Sequence, residues 1–424
     1  SGAYDVDIPS LKVGQTLHLG GTTASDFEAD DAEINVTVDG GTAASPSSSL
    51  TITTDLDAVG TAKVAIIDNI QADTVSTINL DLGSLNTVTT AFNLVEMDAA
   101  KASTIKFTGS EILTVGDGTT HLTAADDATF DFTGHTGTVT VYPGTTNDYT
   151  IKGSSTAATT FVMAGGLDAD DVITAGSATT DTLTANIAGL DATTGKLSIA
   201  NVEAINFDAV TTAATLDLTN VTGDTTIAVS SDASTTYKNV GTNATFQIGH
   251  TSTDFDDYAG TLTFELADSS GSADALTLNL YERGGDTDVD DVVLVATGIE
   301  TFTFNDLAAA GTNDNFGVDV AGLAATKIIV KGGYGAGVEV FDFGNSTTTE
   351  KLNAATTTVD ASESDHLLDL IAADNTGTTF IAKHEITNFT GSTSTDNITI
   401  GTTSAYIGGA NVGTINAGDG IDTL

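Results

Sequence analysis

Apolar and polar residues alternate along much of the chain with a period of two. Ala32-Glu33-Ile34-Asn35-Val36-Thr37-Val38, Thr77-Ile78-Asn79-Leu80-Asp81-Leu82 and Thr138-Val139-Thr140-Val141-Tyr142 show it, as do residues 260–266 and 275–280. Such alternation sends Ile, Val, Leu and Phe to one face of a strand and Thr, Asn and Asp to the other. β-branched Thr and Val suit a pleated surface, while clusters of Gly, Asn and Asp end each stretch after a few residues. Helical spacing predicts one short helix, over 362–373, where Leu367, Leu368, Leu370 and Ile371 would share a face. The pattern predicts an all-β protein.

The chain also repeats itself. Asp181-Thr182-Leu183-Thr184-Ala185-Asn186 is followed by Asn201-Val202-Glu203-Ala204-Ile205-Asn206-Phe207. Further on, Asp274-Ala275-Leu276-Thr277-Leu278-Asn279-Leu280 is followed by Gly298-Ile299-Glu300-Thr301-Phe302-Thr303-Phe304. Weaker echoes of the second half occur at 94–98 and 384–389. Short strands with Asp or Asn at their corners, stacked in order, predict a parallel β-solenoid or β-helix-like array of roughly 20 residues per rung. A string of β-sandwich modules is the competing arrangement, with sandwich-like modules most expected at the N-terminal end.

Charge narrows the function. Twelve Lys and Arg face 58 Asp and Glu, a net charge of −46, and there is no Cys. Nucleic-acid binding needs a basic footprint, so it is excluded, and docking on anionic lipid is disfavoured. No apolar run approaches the ~20 residues of a membrane-spanning helix, so no membrane insertion is expected. With 40% hydrophobic residues the chain is too apolar for a disordered acidic tail. The first residue is Ser rather than Met, which suggests a processed or cut chain.

Several acidic stretches coincide with glycine-rich turns. Ala417-Gly418-Asp419-Gly420-Ile421-Asp422-Thr423-Leu424 approximates a calcium-binding nonapeptide, with Asp422 as the motif aspartate and Leu424 as apolar anchor. Asp419, and Asp396 upstream, belong to the same terminal stretch. Gly165-Gly166-Leu167-Asp168-Ala169-Asp170-Asp171-Val172 keeps the motif aspartate as Asp170, with Asp168 and Asp171 beside it. Gly332-Gly333-Tyr334-Gly335-Ala336-Gly337 has the glycines without the carboxylate. Asp286, Asp288 and Asp290 alternate as in a D-x-D-x-D calcium loop, but Asp291 and Thr297 occupy the slots where an EF-hand needs Gly and Glu. Calcium takes six to eight oxygens, and glycines let backbone carbonyls turn toward the ion. Each stretch is either such a site or a solvated acidic turn. Asp26 to Asp31 and Asp254 to Asp257 are dense in acid as well.

The D-x-L-T-x-N-L and G-I-E-x-F-x-F halves resemble RTX-type surface-layer proteins of Gram-negative bacteria. The Lys331-to-Gly337 turn carries the same likeness, as do Glu385-Ile386-Thr387-Asn388-Phe389 and the stretch from Thr395 to the Asp419–Leu424 ending. The resemblance implies type I secretion, folding on Ca2+, and assembly with identical copies into a two-dimensional lattice on the cell exterior. Cell-surface polysaccharide is the other implied partner. The chain is expected to divide into an N-terminal β module at 1–58, a solenoid-like region at 59–390, and the start of an RTX-like calcium-binding segment at 391–424. That family carries several tandem nonapeptides where this chain has one near-match, so Leu424 is expected to fall within a longer block. A type-I-secreted adhesin segment that binds glycans is the alternative.

Enzyme motifs are missing. The six His are scattered without an H-E-x-x-H pair, and no G-x-S-x-G elbow occurs. After Lys327-Ile328-Ile329-Val330, the turn at 333–338 has Val338 in the third glycine slot of a dinucleotide fingerprint, and no helical pattern follows. No Trp platform is available for carbohydrate, and Phe207, Phe264, Phe302 and Phe304 fall on apolar strand faces. Catalysis is not expected.

Overall fold

The structure is a computed structural model that describes residues 6–12, 16–21, 33–39, 48–56, 64–72, 74–82, 91–119, 121–145, 147–163, 167–186, 196–208, 214–223, 225–229, 234–249, 260–281, 291–307, 316–333, 340–343, 352–364, 367–371, 377–382, 386–391, 394–400, 414–416 and 422–423. These residues form thirty-three strands and no helix. In most of the chain each strand pairs with the next strand but one, and the ladders are parallel. A chain that returns every second strand to lie parallel beside its predecessor is coiling with two strands per turn. This is a parallel β-solenoid, and parallel pairing decides against a string of antiparallel sandwiches.

The turn length varies from 18 residues, where Thr379 lies beside Asn397, to 36, where Glu33 lies beside Asn69. Turn length thus differs from rung to rung, and several ladders shift register within a strand, as between Asp131 and Gly134 and between Val293 and Val295, which is why the internal repeat is faint in the sequence. Ladders cross residue 58, as Glu33 beside Asn69 and Thr51 beside Asn79, and cross residue 391, as Asn388 beside Thr414.

Two compact units make up the chain: Ser1–Gly189 with Lys196–Asn206 and Asn220–Thr225, and Leu190–Gly195 with Phe207–Thr219 and Thr226–Leu424. In the first, Leu50, Ile78, Ile105, Phe130, Ile151, Ile173 and Ile199 occupy one register position on successive rungs, and all are buried. Leu94, Val115, Val141, Phe161 and Leu183 form a second such stack. In the second unit, Leu276, Phe302, Ile328, Val359, Phe380 and Ile398 stack in the same way. Each rung therefore covers the apolar residue of its neighbour, which no rung could do alone.

The helix expected over 362–373 is absent. Thr358–Ser364 and Leu367–Ile371 are strands, paired with Thr379–Ala382 and Val340–Asp342. Leu368 and Leu370 are buried two residues apart, so the apolar run follows the strand period, and pairing within the stack overrides helical spacing.

Candidate metal centre

Acids gather at one corner of three successive rungs in the first unit. Asp126 and Asp127 precede the strand Ala128–His135, Asp148 precedes Tyr149–Lys152, and Asp168, Asp170 and Asp171 precede Val172–Thr174. Ala128 lies beside Tyr149, and Thr150 beside Val172, so the three corners are stacked. Carboxylate oxygens of Asp148, Asp168 and Asp170 come within 4.8 Å of one another. Asp168 and Asp170 are exposed and Asp148 is half-buried. The donors are all hard oxygens, with no His or Cys among them, which suits calcium or magnesium rather than zinc. Three carboxylates leave further positions of a calcium shell to backbone carbonyls and water.

The turn is shaped by local hydrogen bonds. The Asp170 N–H donates to Asp168 Oδ1 at 2.9 Å, and the Asp148 N–H to Asp126 Oδ1 at 3.2 Å one rung away. Partial burial, then the charges of Asp168, Asp126, Asp170 and Asp127, raise the Asp148 pKa. Asp171 differs from its neighbours. It is buried and accepts the N–H of Tyr149 at 2.8 Å and of Asp168 at 3.0 Å, so it ties the turn to the preceding rung. Burial pushes its pKa up to about 6.

Two sequence-predicted aspartates thus converge with a third, Asp148, that motif reading missed. Its signal is spacing: Asp126, Asp148 and Asp170 follow one another at 22 residues, close to the turn length here, which is 21 from Ala128 to Tyr149 and 22 from Thr150 to Val172. Asp286, Asp288, Asp290 and Asp419 lie outside the described residues, as do 26–31, 254–257 and 334–339.

Asp396 and Asp422 occupy a different arrangement. Asp396 is buried; its Oδ1 accepts the Thr378 N–H at 2.7 Å, and its own N–H donates to Asp422 Oδ1 at 3.0 Å. The same contact explains the sequence repeat. The Asp181 N–H donates to Glu203 Oε2, and the Asp274 N–H to Glu300 Oε2, both at 2.7 Å. In return the Asp181 carbonyl accepts from the N–H of Glu203 and Ala204, and the Asp274 carbonyl from Glu300 and Thr301. Where this corner position carries threonine, the side chain bonds the other backbone group of the preceding turn: Thr326 Oγ1 donates to the Glu300 carbonyl at 2.8 Å, and Thr357 Oγ1 to the Thr326 carbonyl at 3.2 Å. Asp422 therefore stands where Glu203 and Glu300 stand, with one oxygen engaged by the backbone of the preceding turn.

Comparison with protein families, curated proteins and solved structures finds no match to this chain.

Proposed function

We propose that this protein is an exported structural protein of the RTX surface-layer type, stabilised by bound calcium and assembling with identical copies on the cell exterior. The observation that carries this reading is the convergence of Asp148, Asp168 and Asp170 from adjacent rungs in a chain of net charge −46. Divalent ions at such corners relieve self-repulsion that works against a compact state. A stack of parallel rungs, each covering its neighbour's apolar face, supports the reading, because such an array makes an extended, rigid element. With only 12 basic residues, contacts between copies rest on metal bridging or on Thr-, Ala- and Val-rich faces rather than salt bridges. Repeated head-to-tail contacts that do not close produce extended assemblies instead of rings.

Electron microscopy of the purified chain with calcium and after chelation tests the proposal. Ordered arrays that vanish in chelator are expected. Dispersed particles that are retained on surface glycans in calcium would favour an adhesin instead.

A further inference from the structure

Asp181, at the corner before the strand Thr182–Asn186, is fully buried, and its two carboxylate oxygens are treated unequally. Oδ1 accepts the Thr159 N–H at 2.6 Å, whereas Oδ2 has neither solvent contact nor a hydrogen-bond partner. An ionised carboxylate carries charge on both oxygens, so a bare buried one is costly. Glu203 adds to the cost. It is the charged group that faces Asp181, held on the next rung by the Asp181 N–H, while Thr159 on the preceding rung brings only its backbone N–H. Among the described residues no lysine or arginine forms an ion pair with either acid. Two like charges so placed disfavour joint ionisation.

We propose that the Asp181–Glu203 corner takes up one proton as the protein folds, with Asp181 the neutral member of the pair. A proton suits the site better than a metal ion. A cation would require several further oxygens, and Asp181 Oδ1 and Glu203 Oε2 are already turned toward backbone N–H groups. Burial, then the Glu203 charge, raises the Asp181 pKa, opposed by the Thr159 N–H. The second unit repeats the geometry. Asp274 is buried, its Oδ2 lacks a partner, and Glu300 stands on the next rung.

The sign follows from linkage. A group whose folded pKa lies above its unfolded value of ~3.9 contributes stability that is complete below that value and is lost as pH rises through the folded pKa. This goes beyond the calcium reading and is tested at fixed calcium. Thermal unfolding of the full chain across pH is compared for wild type, Asp181→Asn and Glu203→Gln. Asp181→Asn should melt no lower than wild type at neutral pH and show a shallower fall of Tm with rising pH. Glu203→Gln should move the fall to lower pH. Infrared difference spectra should contain a protonated-carboxyl band in wild type that Asp181→Asn removes. Should Asp181→Asn fail to fold, wild type and Glu203→Gln decide through the pH profile and the infrared band. Asp181→Asn melting lower at every pH with the wild-type slope overturns the proposal, as does a folded Glu203→Gln with an unchanged profile.

Discussion

The backbone N–H of Asp274 donates to Glu300 Oε2 at 2.7 Å, across one full turn of 26 residues. The identical contact joins Asp181 to Glu203 across 22 residues. A parallel ladder could slip by one residue, sending every buried side chain to the wrong face. A carboxylate that reaches back to one particular N–H makes such a slip costly, because the N–H would then be left buried and unpaired.

Replacing Glu300 separates charge from hydrogen bonding. Glu300→Gln keeps an acceptor for the Asp274 N–H and should unfold near the wild-type midpoint. Glu300→Ala orphans that N–H and should cost roughly 1–3 kcal/mol. Denaturant unfolding of the two variants checks this, and equal loss in both would count against it.

The strands were legible because alternation needs only neighbouring residues, whereas their stacking was signalled only by the faint internal repeat. The Asp–Glu repeat was visible too, but its cause was not: the acid acts on a backbone N–H a whole turn away, and that register appears only once the rungs are stacked. The same limit hid Asp148, whose closeness to Asp168 and Asp170 depends on the local turn length. Asp422 carries a second feature that its glycine-rich surroundings did not reveal: its position in the stack matches that of Glu300, with Oδ1 on the N–H of the preceding turn. The run at 367–371 misled because consecutive leucines satisfy a helical and a strand pattern equally over so few residues.

Gly298 opens the G-I-E half of the repeat with a φ of +75°, and Asn201 opens the N-V-E half at +58°. A Cβ at Gly298 would lie 2.5 Å from Ser269 Cβ, which explains why only this position is glycine in the pair. Gly298→Ala should therefore destabilise by more than about 1 kcal/mol, combining left-handed strain with the clash. Asn201→Gly should change stability by only a few tenths. Paired melting curves would settle the contrast.

His135 should make the protein acid-sensitive. Its ring is buried, Nε2 donates to the Glu111 carbonyl at 2.8 Å, and Nδ1 has no partner. Burial holds its pKa below the usual 6.5, against the pull of the Glu111 and Thr108 carbonyls. A depressed folded pKa means stability present above ~6.5 and lost as pH falls through the folded value, opposite in sign to Asp181. Relative to His135→Gln, wild type should lose Tm progressively below neutrality; a constant difference across pH would rule this out.

If Asp148, Asp168 and Asp170 hold calcium, the triple Asn variant should lose one bound ion per chain and keep its fold in high calcium. The variant should also be less responsive to calcium in melting experiments, since one site at ten times its Kd adds only ~1.4 kcal/mol. Elemental analysis of dialysed wild type and variant reads the difference directly, and equal metal content would remove this corner from the account.

Whether divalent cations offset a net charge of −46 and hold the stack together is read from thermal melting of the intact chain in millimolar calcium and in EGTA. The midpoint should be markedly lower in EGTA and be restored by calcium but not by an equal ionic strength of sodium chloride. Coincident curves in all three buffers would contradict that role for the cations.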